Sequence, residues 1–279
     1  MKKIISALLI SVMVFSLAAC GGGGEDKKAD RLQEIKDRGY IELATEPYFA
    51  PYEFVDPNKS DDDQYVGMDI ELAKAIADAI GVDLKIVPLD YSAVLSGITE
   101  GKYDMAISAI AYSPAREEAM NMSDGYYSAE SEGYGFLVRE ADKDKYTSIE
   151  SLKDAVVITQ SASVQEIITN EQIKDCKEVK LVANMTDGYL AVSQNKADVC
   201  VCDRGSAALY AEANGGLAIS DFVFKVDPKL SSVCVGVPLE NTEDLMNIIN
   251  QCISDLKEKD QFEKWFDEYA DYAKTLGIQ

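Results

Sequence analysis

The chain has 279 residues, with 27 Lys and Arg against 49 Asp and Glu, a net charge of −22, and no histidine. A surface this acidic argues against nucleic acid and against anionic headgroups as electrostatic partners. Without histidine or a CxxC pair the usual zinc ligand sets are missing, so no metal and no cofactor are expected.

The first nineteen residues read as an export segment. Met1-Lys2-Lys3 is a short basic start, and Ile4 to Ala18 is an apolar run too short to span a bilayer but suited to a signal-peptide core. It ends in Leu17-Ala18-Ala19-Cys20, which resembles a bacterial lipobox, and that resemblance implies cleavage before Cys20 and lipidation of its thiol. The glycine-rich, then charged, stretch from Gly21 to Lys28 makes residues 20–30 a flexible tether. No other segment is suited to span a bilayer. The expected location is therefore extracytoplasmic, with the body held at the cell membrane through Cys20 alone. The mature chain keeps 25 basic residues against 49 acidic ones, a net charge of −24.

Five cysteines remain after Cys20: Cys176, Cys200, Cys202, Cys234 and Cys252. An odd number does not make a disulfide framework. Cys200 and Cys202 alternate with Val199 and Val201 as in a buried strand, where thiols act as small hydrophobes.

From residue 30 onward the chain exceeds the usual size of a single core, so two lobes are expected. The pattern predicts a strand over Ile41–Ala44 and a helix over Ile70–Ile80 with Asp69 as N-cap. A strand over Leu84–Val87, a helix over Ser92–Glu100 closed by Gly101, and a strand over Met105–Ala109 follow. A second series starts with a strand over Val156–Thr159. A helix over Ser163–Ile173 follows, opening on the capping box Ser163-Val164-Gln165-Glu166. Next come a strand over Leu181–Ala183, a helix over Asp187–Gln194 and a strand over Val199–Cys202. Short strands alternating with helices imply parallel βαβ units. A strand over Val233–Val237 precedes helices over Glu243–Glu258 and Gln261–Thr275. The last helix carries Phe262, Trp265, Phe266 and Tyr269 as a core-packing stripe.

The two series echo each other. Glu100-Gly101-Lys102-Tyr103-Asp104 and Gln194-Asn195-Lys196-Ala197-Asp198 each end a helix at a residue tolerant of left-handed geometry, then give Lys-x-Asp and an apolar strand. This pattern is that of two lobes on one local plan.

Arg116 is placed oddly for a helix. Ser113 and Pro114 read as N-cap and first helical residue, which puts Arg116 in the first turn, where the helix dipole disfavours a cation. Two uses account for it. It pairs with Glu117, Glu118 or another acid at the surface, or it turns into a cleft beyond the preceding strand, where ligands of open α/β sheets sit.

Four stretches, taken in order, resemble one known family. They are Thr45-Glu46-Pro47-Tyr48-Phe49-Ala50-Pro51-Tyr52-Glu53-Phe54, Gly67-Met68-Asp69-Ile70-Glu71-Leu72-Ala73, Tyr112-Ser113-Pro114-Ala115-Arg116 and Ser123-Asp124-Gly125-Tyr126-Tyr127. They are similar to the bacterial extracellular solute-binding proteins of polar amino-acid ABC transporters. The resemblance implies a type II periplasmic-binding fold: two α/β lobes, two crossover strands, and a ligand cleft between them. The crossovers are placed near Gly135–Arg139 and Val233–Val237, with lobe 1 as residues 31–136 and 236–279 and lobe 2 as 137–235.

The resemblance also implies site residues. Arg116 matches the arginine that takes the ligand's α-carboxylate, which a planar fork of donors suits. Ser163 and Ala162 match the helix start that meets the same carboxylate from the other lobe, where the family carries glycine at the position of Ala162. Asp203 matches the acceptor of the α-ammonium, although a carboxylate at a strand end also caps a following helix. Ser108 and Ala109 lie where the family presents a hydroxyl and a carbonyl, and Ala111 stands where it usually has Thr or Ser. Phe49 and Tyr91 match the aromatic walls. Glu46 matches an acidic position that meets the distal group of the ligand. Tyr48, Tyr52 and Tyr112 are further aromatics that fit a core role.

The implied function is that of a monomeric, non-catalytic receptor. It captures a free amino acid with a neutral polar or cationic side chain by lobe closure and delivers it to a membrane permease. The alternative on the same scaffold is an enzyme like the cyclohexadienyl dehydratases, for which Glu46 is the one candidate general acid.

Overall fold

The computed structural model describes residues 30–128 and 133–278; the signal segment and the lipidation expected at Cys20 lie outside the described residues. In chain order, α1 (Arg31–Arg38) leads into β1 (Tyr40–Thr45). A small antiparallel sheet follows, made of β2 (Tyr48–Phe49), β3 (Glu53–Val55) and β4 (Tyr65–Val66). Then come α2 (Met68–Ile80), β5 (Asp83–Pro88), α3 (Tyr91–Thr99), β6 (Met105–Ala106), the single turn α4 (Pro114–Glu117), β7 (Asn121–Met122) and β8 (Tyr127–Ser128). The second series is β9 (Tyr134–Arg139), β10 (Val156–Gln160), α5 (Val164–Gln172), β11 (Glu178–Val182), α6 (Met185–Ser193), β12 (Val199–Asp203), α7 (Arg204–Asn214) and β13 (Leu217–Val223). The chain returns through β14 (Ser232–Val233) and β15 (Gly236–Val237) and ends in α8 (Glu243–Lys257) and α9 (Gln261–Leu276).

Two five-stranded sheets result, in the orders β5-β1-β6-β15-β7 and β11-β10-β12-β9-β13. The orders correspond strand for strand. In each, three parallel strands are followed by one antiparallel strand, β15 against β6 and β9 against β12. β15 joins the first sheet only after the second has been built, so the connection crosses between the lobes twice. Alongside, β8 pairs β14, a short antiparallel ribbon where both passages run together. The repeated plan read from the sequence is therefore carried by the topology. Gly101 and Asn195, the two residues expected in left-handed geometry, have φ of 70° and 57°.

Apolar faces on both sides of each sheet explain the layering. In the first lobe, Ile41, Leu43, Ile70, Ile76, Leu245, Ile249 and Phe262 form one core under α2, α8 and α9. Val94, Ile98, Ala106 and Met120 form another on the side of α3. In the second lobe, Phe136, Val138, Val157 and Val199 face one layer, and Leu137, Ile158, Cys200 and Cys202 the other. Cys200 and Cys202 are buried free thiols, as the alternation implied. The aromatic stripe of α9 is core: Phe262 packs on Tyr126, and Phe266 stacks on Tyr127 with ring centroids 4.9 Å apart.

Several expected boundaries shift by a residue or two, as helix ends do, but four differences have physical content. First, Asp69 is not an N-cap. α2 starts at Met68 after Gly67, and Asp69 is buried, accepting from the Ala109 amide at 2.7 Å and the Tyr126 hydroxyl at 2.7 Å. Gly67 is required there: its φ is 129°, and a Cβ would lie 2.1 Å from the Tyr52 carbonyl oxygen. Second, the strand expected over Met105–Ala109 stops at Ala106, because Ala109 turns into the left-handed region at φ 43°. Third, the strand expected over Val233–Val237 is two strands, split at Cys234-Val235, one in the ribbon with β8 and one in the first sheet. Fourth, half of the capping box at Ser163 forms. The Ser163 hydroxyl accepts from the Glu166 amide at 3.1 Å, while the Glu166 carboxylate takes the Ala162 amide at 2.5 Å instead of that of Ser163. The helix α1 and the hairpin strands β2 to β4 carry no element in the sequence reading.

Candidate functional site

Every parallel strand of both sheets points its carboxyl end toward the junction of the lobes, and the candidate residues follow those ends. Glu46 follows β1, Ser108 and Ala109 follow β6, Ala162 and Ser163 follow β10, and Asp203 closes β12. Two small adjoining cavities open there, sharing Phe49, Ala109 and Gln165. One is lined further by Tyr52, Tyr134, Asp203 and Val233, the other by Glu46, Glu53, Tyr91, Ser108, Gln160 and Ser163. A wider groove near Arg31, Glu100 and Leu239 lies apart from these residues and contains no orphaned buried polar side chain among the described residues.

Arg116 is 7 % exposed and sits beside the cavities behind Tyr91, its guanidinium carbon 5.8 Å from that ring's centre. Its Nη1 donates to the Ala111 carbonyl and its Nη2 to the Ala162 carbonyl at 2.8 Å, so it touches both lobes. Among the described residues it makes no ion pair, which removes the surface pairing with Glu117 or Glu118. Ser113 caps its turn as expected, accepting from the Arg116 amide at 3.3 Å. A buried cation whose partners are neutral, two carbonyls and the Tyr91 hydroxyl, keeps a net attraction for a carboxylate.

Two alanines on opposite sides of the cleft hold left-handed backbone, Ala109 at φ 43° and Ala162 at φ 63°. That conformation costs an L residue roughly 1–2 kcal/mol, and such strain persists where surrounding contacts over-determine it. Here they do. The Ala109 amide is held by Asp69, the Ala162 amide by Glu166 and the Ala162 carbonyl by Arg116. The Ala162 amide is therefore already engaged by Glu166. Ser163 also spends its hydroxyl locally, donating to the Gln160 carbonyl at 2.7 Å as well as capping α5.

Asp203 is a cap at the cavity wall. Its carboxylate accepts from the Ser206 amide at 2.9 Å as the N-cap of α7, and it lines one cavity. Ser108 is a hub: its hydroxyl donates to Glu53 at 2.9 Å and accepts from the Glu46 amide at 3.0 Å. Phe49 stacks nearly parallel on Tyr52, 5.4 Å between centroids, and Tyr91 is a buried wall of the other cavity. Of the further aromatics, Tyr52 is buried, Tyr48 is exposed, and Tyr112 donates its hydroxyl to Glu117 at 2.5 Å.

Glu46 is 2 % exposed, and its Oε1 has no hydrogen-bond partner. Burial pushes its carboxyl up to about 8, a hydrogen bond from Gln160 pulls the other way, and Asp90 and Asp187 add to the rise. A buried acid with a bare oxygen in a cavity suits a cationic partner.

The chain matches the family model of the bacterial extracellular solute-binding proteins, family 3, over residues 41–272. It belongs to that family. Among curated relatives of this family 3 protein, an arginine-binding extracellular protein of Bacillus subtilis is 23% identical over 95% of this chain and 98% of its own. Among solved structures, an amino acid ABC transporter substrate-binding protein from Streptococcus pneumoniae, bound to L-arginine, superposes with a TM-score of 0.79. It is 30% identical and covers 87% of this chain and 98% of its own. An ancestral amino acid-binding protein described as a precursor of cyclohexadienyl dehydratase superposes at 0.73, 26% identical, over 85% and 98%. The architecture is the type II periplasmic-binding fold, and the chain is a substrate-binding receptor of the ABC importer class.

Among the lining residues that escape the sequence reading as site residues are Gln160, Gln165, Glu53, Tyr52 and Tyr134. Gln160 ends β10, where strand-end logic points to a ligand. Gln165 is hidden by its place inside the capping-box motif. Glu53 stands between two buried aromatics, Tyr52 and Phe54, an unusual setting for an acid.

Proposed function

We propose that this receptor binds a free L-amino acid with a cationic side chain, within the broader class of neutral polar or cationic ligands. The observation that carries the reading is Arg116, a buried guanidinium at the junction of the lobes with no carboxylate partner among the described residues. Arg116 takes the α-carboxylate, exchanging its carbonyl contacts for a bidentate pair. Asp203 takes the α-ammonium, and Glu46 the distal cation. Phe49 and Tyr91 flank the aliphatic part. Arginine is the first ligand to test, in keeping with the arginine named for the B. subtilis and S. pneumoniae relatives.

Binding contacts from both lobes favour the closed form through their differential affinity, and the loaded receptor docks as a monomer on a membrane permease. The lobes divide near residues 136 and 236, with β9, whose Phe136 packs in the second core, on the side of lobe 2. The anchor is Cys20, read from Leu17-Ala18-Ala19-Cys20, which places the receptor outside the cytoplasmic membrane. It acts without catalysis: Glu46, the candidate general acid of the enzyme alternative, is explained by the ligand's cation.

The test is a thermal-shift screen against the twenty amino acids and cystine. A true ligand at 100–1,000 times its dissociation constant stabilises the protein by about 3–4 kcal/mol. Arginine or lysine is expected to lead. A leading shift from aspartate or glutamate overturns the reading, and turnover of prephenate or arogenate restores the enzyme alternative.

A further inference from the structure

At the wall of the ligand cavity lies a pair of buried carboxyls, Glu53 lining it and Asp69 beside it, that the proposed binding scheme does not use. Glu53 on β3 and Asp69 on α2 are fully buried, and their side chains are in hydrogen-bonding contact. Two ionised carboxylates do not hydrogen-bond each other, so one proton lies between them.

The surrounding donors decide where that proton sits. Asp69 accepts at both oxygens, Oδ2 from the Ala109 amide and Oδ1 from the Tyr126 hydroxyl, each at 2.7 Å. Glu53 accepts at one oxygen only, Oε1, from the Ser108 hydroxyl at 2.9 Å, and its Oε2 has no donor facing it. An ionised Asp69 with a protonated Glu53 satisfies every one of these atoms. The reverse assignment sets a proton among donors on Asp69 and leaves Glu53 Oε2 a bare buried anion, the costlier state. We infer that Glu53 is a neutral acid whose Oε2 proton is donated to Asp69, and that this bond positions the ligand-facing loop.

Glu53 holds Ser108, whose hydroxyl in turn accepts from the Glu46 amide at 3.0 Å. Asp69 holds the amide of Ala109 in its left-handed turn. One shared proton thus ties β3 and α2 to the two backbone segments that present Glu46 and Ala109 to the cavity. The ionisable groups facing the pair are Glu46 across the cavity and the phenols Tyr52, Tyr91 and Tyr126. No buried cation among the described residues pairs with either acid. Burial and the charges of Asp69 and Glu46 push the Glu53 carboxyl well above the usual range. Asp69 rises only to about 6, because Ala109, Tyr126 and Glu53 hydrogen-bond its charged form.

Glu53 is a positioning residue, and its role rests on the ligand-binding reading above, so two independent readouts are needed. The first uses no ligand. Infrared spectra at pH 7 of wild type, Glu46→Gln and Glu53→Gln report the protonated-carboxyl stretch. A band that survives Glu46→Gln and is lost in Glu53→Gln is expected; a spectrum in which Glu53→Gln removes only an ionised-carboxylate band overturns the assignment. The second is arginine titration by calorimetry with the melting temperature measured alongside. Glu53→Ala is expected to weaken binding more than tenfold. Glu53→Gln, whose amide still donates to Asp69 and accepts from Ser108, is expected to restore binding to within threefold of wild type. Asp69→Asn, which replaces one of the two oxygens that accept from Ala109 and Tyr126 by a donor, is expected to lose more than tenfold. Glu53→Gln as weak as Glu53→Ala, or Asp69→Asn as tight as wild type, overturns the positioning role. Wild type failing to bind arginine defeats the ligand reading and leaves the infrared result standing on its own.

Discussion

Arg116 and Ala162 belong to different lobes, and the guanidinium of one donates to the main-chain carbonyl of the other at 2.8 Å. The strained turn at Ala162 aims that carbonyl at the cation while Glu166 holds the amide behind it. A neutral carbonyl occupies a donor pair that suits a carboxylate, a weak interlobe contact that a ligand anion replaces with a charge-assisted one.

The first prediction follows from that exchange. Arg116→Ala and Arg116→Lys lose arginine binding by about 2–5 kcal/mol, some 30-fold or more, because a point charge cannot reproduce the bidentate pair. The ligand-free melting temperature falls by a few degrees, reflecting roughly 1–2 kcal/mol for two carbonyls left without their donor. Calorimetry and thermal melts on the same samples separate the two effects. A large fall in melting temperature with preserved affinity assigns Arg116 to structure alone.

Asp203 allows a sharper separation, since its two roles respond differently to one substitution. Asn is as good an N-cap as Asp, so Asp203→Asn keeps the bond from the Ser206 amide and the stability of α7. It removes the charge that meets the ammonium. Affinity is expected to fall by about 2 kcal/mol or more while the melting temperature holds within about two degrees. Unchanged affinity reduces Asp203 to a cap.

What the sequence made legible, and what it hid, divides along a physical line. Arg116 and Ser163 stood out because each breaks or completes a local rule, a cation in a first turn and a serine before a helix, whereas Asp203 became a candidate through the family resemblance, since an acid at a strand end also reads as a cap. The paired topology was visible in the Gly101 and Asn195 turns. Asp69 was misread because an acid preceding a helical apolar pattern looks like a cap. Only the tertiary approach of Ala109 and Tyr126, forty and fifty-seven residues away, shows it to be buried. Glu53 escaped for the same reason. β2 and β3 are too short for periodicity to register, and a carboxylic acid that keeps its proton has no sequence signature. Long-range hydrogen bonds, unlike caps and turns, leave no mark at fixed spacing.

Anchoring is tested outside the folded body. Cys20→Ala is expected to remove labelling by a lipid precursor and to release the protein from the membrane fraction. Retention of the variant in washed membranes with unchanged mass ends the lipoprotein reading.

The last prediction concerns pH. The Glu46 carboxyl is raised from 4.5 to about 8 by burial, so the folded protein binds a proton there that the unfolded chain releases. Its contribution to stability is complete below about 4.5 and is lost as pH rises through 8. The ligand-free protein is therefore expected to melt progressively lower from pH 5 to pH 8, together with the parts that Asp69, raised to about 6, and Glu53, raised well above the usual carboxylate range, contribute. Glu46→Gln keeps the side-chain shape and makes that slope shallower, leaving the share of Glu53, so the variant melts higher than wild type at pH 8. Binding runs the other way. A cationic side chain needs Glu46 ionised, so its arrival expels the proton, and arginine affinity is expected to rise with pH toward 8, by up to about tenfold per pH unit for one proton released. Calorimetry in two buffers of different ionisation enthalpy at pH 7 counts that proton directly, and Glu46→Gln is expected to release none from this position. Arginine affinity that is flat between pH 6 and pH 8, with no proton released by wild type, removes Glu46 from contact with the ligand's cation.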